Sequence, residues 1–248
     1  MCGRFAVTTD PALLAERIDA VNEVPADADP GQSYNVAPTD LVATVVSRHA
    51  DPADVPTRRV RLMRWGLVPP WTKAGPDGAP ATGGPLLINA RADKVTTSPA
   101  YRSAADHRRC LVPMDGFYEW RAEPAGKKAR KTPFYIYGDG AMLFAAGLWS
   151  VWRGDRRSAP LLSVTIITTG AVGELAEIHD RMPLLLPENR WDAWLDPDAS
   201  LDTALLAYRP ETQGIALREV STLVNSVRNN GPELIAPAEP QPEQAYLL

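Results

Sequence analysis

Position 2 of the chain is a cysteine, followed by Gly3, Arg4 and Phe5. An initiator methionine is generally removed when the next residue is small, and cysteine qualifies, so the mature chain is expected to begin at Cys2. A terminal cysteine differs from an internal one. In simple peptides its amine titrates at about 8 and its thiol at about 8.5, which leaves both partly deprotonated at neutral pH. The two nucleophiles lie two carbons apart on one residue. The amine adds to an aldehyde to give a Schiff base. The thiol then closes onto the imine carbon, and the product is a five-membered thiazolidine that outlasts an open imine. Gly3, with no side chain, lets backbone and substrate approach closely. A Met-Cys-Gly start alone fits other readings equally well: an ordinary second residue, or an N-terminal nucleophile amidotransferase. In the latter the thiol attacks a glutamine amide, the α-amine is the base and the intermediate is a thioester.

Further candidates lie along the chain. Glu119 sits in the aromatic run Phe117-Tyr118-Glu119-Trp120, where partial desolvation would raise a carboxyl toward useful acid–base values. His179 follows an expected helix over Gly170 to Ile178, and a helix C-terminus favours imidazolium. Asn89 ends the apolar run from Pro85, and a polar amide there must find partners. Arg91, two residues on, projects to the same side if the strand continues. Trp65, Trp71 and Trp120 stand in Arg- and Pro-rich surroundings, as do the aromatics on which single-strand binders stack bases, at about 1–3 kcal/mol each. Each residue also fits a structural role: a surface glutamate, a capping histidine, a turn asparagine, core tryptophans. Trp149, Trp152, Trp191 and Trp194 are assigned to packing, and His49 and His107 to the surface. Cys110 reads as a buried cysteine, a common fate of a free thiol.

The elements that must position these residues are mostly strands. Runs with turn-rich borders predict strands over Leu41 to Ser47, Val60 to Trp65, Leu86 to Ala90, Cys110 to Val112, Gly116 to Arg121, Pro133 to Tyr137, Ala141 to Val151, Leu161 to Thr168 and Ile215 to Val220. Helices are expected from Pro11, capped by Thr9 or Asp10, and over Gly170 to Ile178, Glu188 to Leu195 and Leu201 to Tyr208. Residues 74–85 form a Gly/Pro-rich loop. The class is α+β: one domain, residues 1–236, built on a mixed, largely antiparallel, curved and barrel-like sheet with helices at its margins. Residues 237–248, rich in Pro, Glu and Gln, read as a disordered tail.

Composition narrows the function. The chain has 248 residues, 45% of them hydrophobic, enough for a substantial core. Its net charge of −4 does not announce a polycation, but the charge is uneven. Arg48 to Lys73 carries six basic residues against two acids, and Glu119 to Lys131 five against two. Two cysteines make neither a zinc framework nor, in a reducing compartment, a disulfide. The first ten residues lead to the expectation of no secretory leader, and the apolar stretch Ala141 to Trp152 is too short to span a bilayer as a helix. A cytoplasmic protein is expected. No GxGxxG or P-loop supports a nucleotide cofactor.

Several segments then occur in one order: Cys2-Gly3-Arg4-Phe5, Tyr34-Asn35-Val36-Ala37-Pro38, Arg64-Trp65-Gly66-Leu67-Val68-Pro69 with Trp71, Asn89-Ala90-Arg91-Ala92-Asp93, Pro113 to Trp120, and His179-Asp180-Arg181-Met182-Pro183, with a last echo in Val227 to Ile235. Together they resemble the SRAP domain, the SOS-response-associated peptidase family, over roughly residues 2 to 236. The ordered set does not resemble the amidotransferase pattern. The resemblance implies a covalent crosslink between the terminal cysteine and the aldehyde of an abasic site in single-stranded DNA, with no metal or organic cofactor. It implies that Glu119 moves protons on the amine and helps open the sugar, that His179 protonates the leaving sugar oxygen, and that Asn89 holds the amine or the thiazolidine. Arg91 would hold a phosphate, and Arg4, Asn35, Pro38, Trp65, Trp71 and Trp120 would contact DNA, with Pro38 wedged beside the lesion. The segment Thr96 to Pro99 departs from the pattern by placing proline where a basic residue is expected, and Lys94 or Arg102 could take that phosphate role. A Schiff base at C1 of the sugar also permits β-elimination, so a lyase activity fits, as does self-processing at Met1. A monomer is the default. The alternatives are an amidohydrolase and a non-enzymatic single-strand binding module.

Overall fold

The structure, a computed structural model, describes residues 2–81, 84–122, 131–154 and 159–239. Among them are strands β1 (Phe5–Val7), β2 (Val21–Asn22), β3 (Ser33–Val36), β4 (Leu41–Arg48), β5 (Thr57–Trp65), β6 (Asn89–Arg91), β7 (Arg109–Met114), β8 (Gly116–Ala122), β9 (Lys131–Gly138), β10 (Leu143–Trp152), β11 (Leu161–Gly170), β12 (Arg181–Pro183) and β13 (Ile215–Glu219). Four short helices accompany them: α1 (Pro11–Arg17), α2 (Arg102–His107), α3 (Trp191–Leu195) and α4 (Thr203–Leu206).

Five strands close on themselves. β4 pairs antiparallel with β5, and β5 pairs parallel with β11 at Ser163 and Val164. β11 pairs with β10, β10 with β7, and β7 returns to β4 at Leu111 and Val45. β12, β6 and β2 extend this barrel at its margins. A second, antiparallel sheet runs β13-β9-β8-β1-β3. The chain passes from barrel to second sheet through Asp115, whose carboxylate accepts from the Thr8 backbone N–H (2.7 Å) and hydroxyl (2.6 Å). Gly116 follows because the sheet leaves no room: a Cβ there would meet the Ile136 carbonyl at 2.5 Å and the Tyr135 ring at 2.6 Å. The mixed, curved, barrel-like architecture with marginal helices is as the sequence indicates.

Strand alternation divides the core. Outward-facing Val45, Val60, Leu111 and Leu148 pack under α1 to α4 through Leu14, Tyr101, Trp194 and Leu205. Inward-facing Val42, Val46, Met63, Cys110, Val112, Val164 and Ile166 fill the barrel, and Cys2, Phe5 and Trp65 continue that cluster at one end. Cys110 is fully buried, with a free thiol.

The differences from expectation are local. Asp10, not Thr9, caps α1, accepting from Ala12 and Leu13 N–H. The helix expected over Gly170 to Ile178 is a 3₁₀ turn, Gly173–Glu177, because Gly170 still belongs to β11 and Gly173 turns the chain at φ 57°. Glu188 to Leu195 opens with a 3₁₀ turn, Glu188–Arg190, before α3. Only Asn89–Arg91 of the run from Leu86 joins a strand, since Leu87 forms an isolated bridge to Leu67 instead. The strands β1, β2, β3 and β12 and helix α2 are additional. Pro237 bridges to Val220 and the Ala238 N–H donates to the Glu219 carbonyl, so the chain stays attached just past residue 236. The remaining tail, 240–248, lies outside the described residues.

Candidate active site

Cys2 lies at the barrel end where β1, β6 and β8 converge. Its side chain is fully covered, and Phe5 meets Trp65 edge-on with ring centroids 5.0 Å apart. The amide of Asn89 donates to the Cys2 carbonyl at 2.7 Å. The backbone of Asn89 is fixed from both sides. β6 pairs in parallel with β11, with Asn89 against Ile166, and the Tyr101 hydroxyl donates to the Asn89 carbonyl at 3.2 Å. One residue earlier, the Trp65 indole donates to the Ile88 carbonyl at 3.0 Å. The Asn89 Oδ1 atom is buried with no protein donor among the described residues, so it can accept from a bound group.

Glu119 stands on β8, 3% exposed, opposite Phe134 of β9. Burial pushes its carboxyl above the usual carboxylate range, and the charge of nearby His179 opposes that rise. Burial likewise pushes the Cys2 thiol up, and the Glu119 carboxylate pushes it the same way. In the chain that still carries Met1, the thiol is held protonated, because a thiolate in an apolar pocket beside a carboxylate is unfavourable. His179 is held by its backbone, its N–H donating to the Leu175 carbonyl at 3.1 Å. Its Nδ1 accepts the Arg181 N–H at 3.0 Å, so the neutral ring carries its proton on Nε2. The same Nδ1 lies 2.8 Å from the largely exposed Asp180 carboxylate, a contact that favours the ring only when protonated. The dipole of a long helix does not act here, since the preceding segment is a single 3₁₀ turn.

The expected DNA contacts divide. Trp71 is 61% exposed, and the partly exposed Trp120 donates its indole N–H to Asn225 at 2.7 Å. Pro38 is half-buried, beside Thr39 at φ 85°. Trp65 is not a stacking platform: it is fully buried against Phe5. Asn35 is 4% exposed and donates to the carbonyls of Val224, Ser226 and Asn229, while Arg4 donates to Asn35 Oδ1 at 2.7 Å and to the Val224 carbonyl at 2.9 Å. These two residues therefore tie the segment 222–230 to β1 and β3, with the Asn35 amide and Arg4 Nη1 engaged on protein. Arg91 is exposed and forms a bidentate pair with Asp93 at 3.0 and 2.9 Å. Lys94, Pro99 and Arg102 are exposed nearby.

Arg181 is a residue that reading the sequence missed. β6 and β12 flank β11, with Thr168 opposite Arg91 and Gly170 opposite Arg181. Arg181 is held by the Thr168 carbonyl and hydroxyl, its Nε is buried without a partner among the described residues, and burial and then Arg91 lower its pKa. Two guanidiniums thus stand side by side next to Asn89 and His179. The signal was its place two residues after His179. Among the described residues, no three His, Cys, Asp or Glu side chains are grouped to hold a metal ion. No helix is long and apolar enough to cross a membrane.

A buried cysteine thiol beside a raised carboxyl and a histidine thus stands at one end of a barrel with a flanking sheet. The chain belongs to the SRAP family, "SOS response associated peptidase", whose pattern matches residues 1–227. It is 35% identical over 241 residues to the abasic site processing protein YoqW of Bacillus subtilis, covering 95% of this chain and 99% of that one. It is 34% identical over 252 residues to the abasic site processing protein YedK of Escherichia coli, covering 96% and 100%. A solved structure of a Bacteroides thetaiotaomicron protein shares the fold at TM-score 0.79 and 24% identity, over 96% of this chain and 100% of that one.

Proposed function

We propose that this chain captures abasic sites in single-stranded DNA as a covalent adduct on Cys2, once Met1 has been removed. The observation that carries the reading is the enclosure of Cys2: its carbonyl is held by Asn89, and Glu119 and His179 act electrostatically on one another beside it. With Met1 gone, the amine of Cys2 adds to the C1′ aldehyde and loses water to give an iminium. The thiol adds to the iminium carbon, releases its proton, and closes the thiazolidine. Burial raises the Glu119 carboxyl and so makes its carboxylate a better proton acceptor, which makes Glu119 the group to take a proton from the amine and pass protons during dehydration. His179, with its proton on Nε2, is the donor to the sugar oxygen as the ring opens. Asn89 Oδ1 accepts from the amine. Arg91 and Arg181 bind the flanking phosphates, and Trp71 and Trp120 stack neighbouring bases. β-Elimination from the iminium competes with ring closure and gives a lyase activity. Met1 removal by the chain's own thiol accounts for the peptidase in the family name. The protein acts as a cytoplasmic monomer on DNA.

Single-stranded DNA with one abasic site, incubated with the protein and run on a denaturing gel, tests this. A shifted band with the native chain and none with Cys2→Ala is the expected outcome. Reversible binding that is unchanged by Cys2→Ala points instead to a binding module, and glutamine hydrolysis without linkage to an amidohydrolase. An intact mass that retains Met1 on active protein overturns the mechanism, because the amine would not be on Cys2.

A further inference from the structure

The barrel has a second mouth, away from Cys2. Val45 pairs with Leu111, and the Trp149 N–H donates to the Arg108 carbonyl at 2.9 Å. Continuing that register sets Arg48, Arg108 and Trp149 side by side in one row across β4, β7 and β10. All three share the inward face, because Val46 and Cys110, two residues back along the strands, belong to the barrel interior, as does Trp149 itself. Val42, at the Cys2 end of β4, lies six residues from Arg48, or about 20 Å along the strand. Trp149 plugs the barrel at 8% exposure, with the Arg48 guanidinium 5.9 Å from its ring centroid.

A cavity of about 420 Å³ opens over this plug, lined by Arg48, His107, Arg108, Trp149, Val151 and Asp196 among others. That volume falls in the range of small-molecule sites, about 300–1,000 Å³. Arg48, His107 and Arg108 have no hydrogen-bonding or ionic side-chain partner among the described residues, and the Arg108 Nε is buried without one. Most neighbouring polar groups are already engaged, while the Asp196 carboxylate keeps its charge in the cavity wall. Arg109 donates to the carbonyls of Trp194, Ala105, Asp106, Asp196 and Ala199. Asp196 accepts the Asp198 and Ala199 N–H groups through Oδ1, and Asp198 pairs with His49 at 2.9 Å. The cavity thus holds two guanidiniums and an imidazole without an ionic partner among the described residues, against the one Asp196 carboxylate, above an aromatic and aliphatic floor.

We propose that this mouth is a second binding site, which takes a nucleotide: the phosphate between Arg48 and Arg108, and the nucleoside against Trp149 and Val151. Guanidiniums bind phosphate oxygens in paired, directional hydrogen bonds, and the cavity exceeds what a phosphate alone fills. The nucleotide is either free or part of a strand; both present the same phosphate and base. The site does not depend on Cys2 chemistry.

The test is NMR of the full-length protein, following the Trp149 indole N–H, assigned with Trp149→Phe. Inorganic phosphate, dAMP and an oligothymidylate without abasic sites are titrated in turn. The expected result is a saturable shift of that resonance with dAMP, weakened at least tenfold in Arg48→Gln and in Arg108→Gln. A shift with the oligonucleotide alone, equally sensitive to both variants, assigns the ligand to a strand. Arg48→Gln, an exposed position, keeps the test valid if Arg108→Gln fails to fold. If no probe moves the resonance, or if the variants bind as well as the native chain, the site is overturned. Equal affinity for inorganic phosphate and dAMP overturns the nucleoside part.

Discussion

Two cysteines belong to the same interior cluster, and they make each other's control. Cys2 and Cys110 are both fully buried, and burial pushes both thiols up. For Cys110 burial is the whole account. Cys2 also feels the Glu119 carboxylate and has its carbonyl held by Asn89. A buried thiol is therefore not in itself a nucleophile. Under the proposed chemistry, what distinguishes a reagent from a packing residue is whether proton-moving groups and a terminal amine share its pocket.

The sharpest way to break this comparison is to exchange the two positions' fates. Cys2→Ala should abolish DNA linkage on a denaturing gel, whereas Cys110→Ala should leave it intact. Linkage surviving Cys2→Ala would end the contrast. Glu119→Gln should slow linkage by about 10²–10⁴-fold, the usual worth of general acid–base catalysis, read from the time course of the gel band. It should also remove the low-pH limb of the rate profile, because the rate of the native protein falls as pH drops through the raised value of Glu119.

The same residue makes a linked stability prediction. A carboxyl whose value is raised on folding contributes stability that is present below its unfolded value, about 4.3, and that is lost as pH rises through the folded value. Glu119→Gln should therefore be more stable than the native chain at pH 8, the difference vanishing near pH 4, as measured by denaturant titration.

Tryptophans sharpen the split between core and surface. Trp65→Ala should destabilise by about 3–5 kcal/mol, the range for emptying a buried aromatic, read from the denaturation midpoint. Trp71→Ala should leave stability unchanged and weaken binding of undamaged single strands by about 1–3 kcal/mol, read from fluorescence anisotropy. The smallest effect belongs to Cys110→Ala, about 1 kcal/mol of stability, typical of a modest core truncation.

The long strands were legible in the sequence because β-branched runs such as Leu41 to Ser47 carry their own signal, and the ordered motifs named Cys2, Asn89, Glu119 and His179, which the fold brings near one another. What escaped depends on distant pairing. Trp65 sits in an Arg-rich run that reads as surface, yet parallel pairing with Val164 and contact with Phe5 bury it. Arg4 and Asn35 carry polar groups suited to DNA, but the chain returns more than 180 residues later to use them at Val224. The strands β1 and β12 are three residues each, too short for any periodicity. His179 was placed by its motif and misread in its setting, because a glycine at positive φ is indistinguishable in sequence from one inside a helix.

The covered thiol of Cys2 also decides how the protein survives before it is used. Oxidants and alkylating agents attack accessible thiolates, and in the chain that still carries Met1 this sulfur is neither accessible nor ionised. Under the proposed adduct chemistry, a reagent that works once, by forming a lasting bond, cannot be regenerated after a stray reaction. Burial gives it a long shelf life: labelling of Cys2 by iodoacetamide in the unprocessed chain should be far slower than that of a free cysteine, and unfolding should restore it.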